Sequence, residues 1–145
     1  MYKKLALAIS INAVIMFLLT YVMIDSLNHL YLNINKVYMT LMMVAPMVIV
    51  MLVVMRSMYE NKKLNNILIA LFSGLFILSF LLARTQTPVG DGQFLRSMIP
   101  HHSSAILMCE QAAITDPEII SLCEEIVEAQ VEEIAQMEAL LEHSR

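Results

Sequence analysis

Long uncharged runs separated by short polar breaks dominate the first 84 residues. Leu5–Ile24 holds 20 residues without a charge, Val37–Met55 holds 19 and Leu64–Ala83 holds 20. About 20 apolar residues are needed for a helix to cross a bilayer. In lipid a backbone must satisfy its own hydrogen bonds, so each run predicts a transmembrane helix. The first run is too long for a signal peptide and has no small-residue cleavage site after it, so it reads as an uncleaved helix.

Beyond residue 92 the uncharged runs give way to apolar positions at helical spacing. Two amphipathic helices are predicted, over about Gln93–Ile114 and Pro117–Glu142, and Ile119, Ile126, Ile134, Met137 and Leu141 form the apolar stripe of the second. Pro100 falls inside the first, so the stretch before it reads as a separate piece. Thr115-Asp116-Pro117-Glu118 is a start signal, with Thr115 and Glu118 spaced as a capping box and Pro117 suited to the first turn. Thr85–Gly92 is broken by Pro88, Gly90 and Gly92 and reads as a linker. The expected architecture is all-α. Residues 1–84 form three transmembrane helices, 85–92 a linker and 93–145 an antiparallel two-helix hairpin outside the membrane.

Charge orients this plan. Residues 1–84 carry seven Lys and Arg against Asp25 and Glu60, a net of +5; residues 85–145 carry Arg96 and Arg145 against eleven acids, a net of −9. Lys3, Lys4, Arg56, Lys62 and Lys63 would lie on one side of the membrane, and Lys36, Arg84 and Arg96 on the other. That excess predicts a cytoplasmic N-terminus and an external C-terminal domain. An acidic, Lys-free tail excludes nucleic acid as a partner bound through its phosphates. Only 3 glycines occur, and no Gly-rich phosphate loop is present.

Candidate chemistry lies in the methionines and histidines. Met39, Met43, Met47, Met51 and Met55 recur every four residues in the second apolar run, around Pro46, which predicts a kink. Packing explains that stripe best, and a soft-ligand path for Cu(I) is the alternative. A tight turn near Asp116 forces the two hairpin helices antiparallel. Met98, His101 and His102 then face the level of Gln130, Glu133 and Met137, and Cys109 faces the level of Cys123. Two imidazoles with thioethers suit copper: thioether selects Cu(I) or Ag(I), and imidazole suits either copper state. Glu133 would ligate Cu(II) or orient a histidine ligand through a hydrogen bond; Gln130 is a poor copper ligand. The bland alternative is two solvated or capping histidines beside core methionines. No acid stands three residues before any histidine, so the Glu-x-x-His signature of di-iron bundles is absent. No Ser/His/Asp triad is legible, and no enzyme is expected. Cys109 and Cys123 read first as buried free thiols; a disulfide stapling the loop end, or a second set of copper ligands, are the alternatives.

The run Phe94-Leu95-Arg96-Ser97-Met98-Ile99-Pro100-His101-His102, followed by Ala105, Ile106 and Met108, resembles the opening of the domain-of-unknown-function family numbered 305. Ala129-Gln130, Glu133-Ile134, Met137 and Leu140 match its second helix, so the resemblance covers about residues 93–141. It implies a ferritin-like helical group, secreted or membrane-tethered in bacteria, some of whose members are associated with copper. Carried onto this chain, it implies metal ligands at Met98, His101, His102, Met108, Glu133 and Met137. Two departures stand out: cysteines at 109 and 123 where small residues are usual, and Leu140-Leu141 where an aromatic is common. The expected function is therefore a membrane-anchored protein of the bacterial inner membrane. It would hold copper as Cu(I) or Cu(II), or silver, for storage, buffering or transfer to a copper-handling partner, with the hairpin periplasmic or extracellular. The alternative is a non-enzymatic oligomeric membrane protein with a structural His/Met cluster. A hairpin of about 50 residues buries too little apolar surface to stand alone. Pairing with a second copy into a four-helix bundle is expected, with the membrane helices keeping copies close.

Overall fold

The computed structural model describes residues 2–143 of the chain. Among the described residues it is all-helical: α1 (Tyr2–Leu19), α2 (Ile34–Val54), α3 (Lys62–Thr85), α4 (Asp91–Gln111) and α5 (Pro117–His143), with a 3₁₀ turn at Leu27–His29 between α1 and α2. The helices α1, α2 and α3 are long and apolar enough to cross a membrane.

The chain divides into two compact units. One comprises residues 2–20 with Asn35–Pro88; the other comprises Tyr21–Ile34 with residues 89–143. By their contacts residues 21–34 group with the hairpin, whereas the sequence pattern groups them with residues 1–84. Correspondingly, α1 stops at Leu19 rather than continuing to Ile24. Tyr21 is buried within the second unit, its hydroxyl donating to the Tyr31 carbonyl at 2.9 Å. That fixed position is incompatible with another turn of α1.

In the first unit α2 is central. Val44, Val48 and Leu52 are buried with Leu5 and Tyr59, and Ile9, Met16, Leu68 and Phe72 pack around them. The outer faces are apolar too, with Leu7, Val14, Val50, Leu71 and Ile77 all more than half exposed. An apolar exterior around an apolar core suits a lipid solvent. The methionine stripe turns as it ascends: Met47, Met51 and Met55 pack on the core, whereas Met39 and Met43 are exposed. A four-residue repeat gains on a 3.6-residue turn, so the stripe drifts around the helix. Polar ties mark both ends of the unit. At one, Tyr38 Oη donates to the Thr87 carbonyl (2.6 Å) and Lys36 Nζ to the Thr20 carbonyl (2.6 Å). At the other, Tyr2 Oη donates to Asn65 Oδ1 (2.8 Å) and Asn65 Nδ2 to the Tyr59 carbonyl (2.8 Å).

The second unit is the antiparallel pair α4 and α5, with the segment 21–34 laid against it. The start of α5 follows the expected signal with a different cap. Asp116 Oδ1 accepts from Glu118 N–H at 2.8 Å, and the Asp116 carbonyl takes the first intrahelical bond, from Ile120 N–H. Asp116, not Thr115, is the cap, and Pro117 is the first helical residue. The core of this unit is Ile99, Ile106, Ile134, Met137 and Leu141, with Tyr31, Leu95, Met98 and Val127 packed on it. The apolar stripe of α5 is thus covered towards its C-terminal half. Ile119 near the turn stays 48% exposed.

Cys109 and Cys123 are joined in a disulfide, with Cα atoms 5.4 Å apart. The expectation of free thiols is corrected. Their placement at one level of an antiparallel pair, with side chains directed at each other, brings them within bonding range.

Candidate functional site

The continuity of α4 through Pro100 shapes the centre of the second unit. Proline has no N–H, so the carbonyl one turn earlier, that of Arg96, loses its intrahelical donor. Asn33 supplies the replacement: its Nδ2 donates to the Arg96 carbonyl at 3.2 Å, and also to the Tyr31 carbonyl at 2.9 Å. The proline therefore leaves the helix unbroken and creates a docking point for the segment between α1 and α2. One turn further on, the fully buried Ser103 Oγ accepts from Asp25 N–H (2.8 Å) and lies 2.8 Å from His29 Nδ1. Tyr31 Oη donates to Glu138 Oε1 of α5 at 3.2 Å.

Between these anchors sit the two adjacent histidines. His102 is 9% exposed, and both of its ring nitrogens are engaged. Nδ1 lies 2.9 Å from the Met98 carbonyl and Nε2 lies 2.7 Å from Glu133 Oε2. A carbonyl only accepts, so Nδ1 carries a hydrogen. Nε2 is then either a second donor, making an imidazolium–carboxylate pair, or a lone pair aimed beside a carboxylate. A ring fixed through Nδ1–H to a backbone carbonyl, with Nε2 as the working atom, is the usual posture of a metal-binding imidazole. Glu133 keeps about half of its side chain in solvent. His101 is exposed, and its ring centroid lies 5.9 Å from that of His102.

The other sequence candidates divide. Met98 and Met137 are present at this level but lie in the apolar core, against Ile99, Ile106, Ile134 and Leu141. Met108 does not join them. It is 59% exposed and lines a separate recess with Met23, Leu107, Gln111 and Ala112. Among the described residues no three His, Cys, Asp or Glu side chains converge on one point. Among the described residues, the imidazole and carboxylate that meet are those of His102 and Glu133.

Sequence reasoning missed Asp25, His29, Tyr31 and Asn33 as neighbours of this centre. The available signal was indirect: a polar segment rich in Asn and Tyr between two apolar runs, and a mid-helix proline whose freed carbonyl needs a donor. Asp25 and His29 also line a recess of about 290 Å³ with Ile106, Glu110, Val131 and Glu138.

Comparison with known proteins places the hairpin. Residues 80–141 match the family described as a domain of unknown function, DUF305. An uncharacterized protein of Acanthamoeba polyphaga mimivirus is 32% identical over 123 residues, which cover 83% of this chain and 79% of that protein. No solved structure matches.

Proposed function

Since the chain belongs to the DUF305 family, we propose that it is a membrane-anchored metal-binding protein whose hairpin holds a soft monovalent cation, Cu(I) or Ag(I), on His102, with the Glu133 carboxylate beside it balancing the charge. The observation that carries this reading is the His102 ring, fixed by Met98 through Nδ1 and presenting Nε2 2.7 Å from a carboxylate oxygen. The donor set fits such an ion. One imidazole and one carboxylate are already together, and a second imidazole, His101, stands beside them. The thioethers of Met98 and Met137 lie in the adjoining core, and thioether favours Cu(I) over Zn(II). Glu133 and a monovalent cation sum to zero charge, which lowers the cost of holding the ion beside an apolar core. The bound ion would be stored or handed on; the residues supply binding and orientation, and no catalytic role is assigned to them.

The remaining parts of the proposal concern place and assembly. A cytoplasmic N-terminus puts the hairpin outside, in the periplasm or at the cell surface of a bacterium, where thiols oxidise readily; the Cys109–Cys123 bond is in keeping with that side. Two hairpins joined through exposed apolar residues such as Ile119, Leu122, Val131 and Leu140 would form a ferritin-like four-helix bundle.

A second reading has its own support. Both His102 nitrogens are partnered, and Met98 and Met137 pack as core residues. On that reading the cluster is structural. Cu(I) competition against a chromophoric chelator, with the full-length protein in detergent, separates the two. Binding should fall at least about tenfold in His102→Ala, the equivalent of 1.4 kcal/mol, and stay unchanged in Met108→Ala. Equal affinity in His102→Ala and the parent protein would leave the structural reading standing.

A further inference from the structure

The α2–α3 turn of the first unit carries a cavity of about 90 Å³. Arg56, Lys62, Asn65 and Asn66 form its polar wall, and Leu52, Val53 and Ile69 its apolar wall. Water occupies about 30 Å³ per molecule in the liquid, so the space suits a single small oxyanion. Asn65 is 4% exposed and held rigidly, accepting from Tyr2 Oη and donating to the Tyr59 carbonyl. Arg56 and Lys62 are exposed, and neither pairs with a carboxylate among the described residues. Two cations beside one cavity repel each other unless an anion lies between them.

The surroundings identify the anion. The Tyr2–Asn65 bond brings the start of α1 to this end of the unit, so Lys3 and Lys4 join Arg56, Lys62 and Lys63 there. On the proposed topology, on which this inference rests, this end with its cationic excess faces the cytoplasmic, anionic leaflet. The apolar wall continues along α2 and α3 into Val50, Val53 and Ile67, each more than half exposed, where acyl chains would lie. Guanidinium matches phosphate with two parallel hydrogen bonds, and ammonium adds a point charge. A free anion would not need an apolar wall beside its charge site.

We propose that this cavity binds the phosphate of an anionic phospholipid headgroup, with Arg56 and Lys62 as its cationic contacts. The site is independent of the metal-binding reading, since every residue in it belongs to the membrane unit.

Native mass spectrometry and thermal unfolding of the full-length protein in neutral detergent test this, with phosphatidylglycerol, phosphatidylcholine and inorganic phosphate as probes. Phosphatidylglycerol should stay bound and raise the unfolding temperature; phosphatidylcholine should do neither. Arg56→Gln with Lys62→Gln should weaken phosphatidylglycerol at least about tenfold, the equivalent of about 1.4 kcal/mol. Lys3→Gln with Lys4→Gln should leave it within about threefold, the effect of rim charges being screened. Asn66→Asp, at an exposed position in the polar wall, should weaken it with both cations still in place, which guards against misfolding of the double variant. Equal retention of the two lipids overturns the proposal, as does equal loss in the Lys3/Lys4 variant. Stabilisation by inorganic phosphate alone, matching that by the lipid, would assign the site to a free anion instead.

Discussion

Removing the Cys109–Cys123 disulfide tests how far the hairpin depends on its staple. The two residues are 14 apart in sequence, so the bond closes a loop of about 15 residues. Constraining a loop of about 15 residues in the unfolded chain stabilises the fold by about 3 kcal/mol. For a two-helix unit with a small core this is a large fraction of the total, because domains this size rarely reach more than about 3–5 kcal/mol from packing alone. In Cys109→Ala with Cys123→Ala, amides of α4 and α5 should therefore lose about two orders of magnitude of hydrogen-exchange protection, at roughly 1.4 kcal/mol per decade. Full-length protein in detergent, followed by exchange and mass spectrometry, reads this directly. The helix α3 in the other unit is the internal reference and should not change. Reductant applied to the parent protein should reproduce the loss, and Cu(I) stoichiometry should be the same in the double variant as in the oxidised parent, whose sulfurs are already bonded to each other. Unchanged protection in α4 and α5 would refute the reasoning; an equal loss in α3 would show that the two units are not energetically separate.

Other expectations follow from single contacts. Asn33→Ala withdraws the donor from the Arg96 carbonyl freed by Pro100, at a cost of about 1–3 kcal/mol. Exchange protection of residues 21–34 should collapse first, with α1–α3 unaffected. Glu133→Gln breaks an ion pair whose carboxylate is half in solvent, so apo stability should drop by only about 0.2–1 kcal/mol, while Cu(I) affinity falls far more. A loss of stability as large as the loss of affinity would mark the pair as structural. A reporter active only in the cytoplasm, fused after Arg145, should be silent; activity would reverse the proposed topology. Cross-linking in membranes should trap a dimer through the hairpins, and a strictly monomeric result would end the four-helix-bundle proposal.

The sequence alone determined the three apolar helices and the amphipathic pair. Both follow from periodicity and from the need of a backbone in lipid to bond to itself. It also set the register of the hairpin. A tight turn at Asp116 makes the helices antiparallel, and that brings Cys109 to Cys123 and His102 to Glu133. Three other outcomes depended on contacts between residues distant in the chain. Whether the cysteines bond depends on the directions of two side chains, which spacing does not specify. Local pattern could not tell that α1 ends at Leu19, because residues 20–24 are apolar enough to continue it; the burial of Tyr21 among residues of the second unit decides the matter. Nor could it tell that Pro100 sits in an unbroken helix. Proline's local preference is to interrupt, and a distant donor, Asn33, 63 positions before the freed Arg96 carbonyl, compensates for the missing bond. The same separation divided the candidate ligands. Met98 and Met108 look alike in a motif, yet one packs on Ile99 and Leu141 while the other faces outward beside Met23. Where a side chain points relative to a distant segment is a property of the assembled fold, and that is where the sequence stopped deciding.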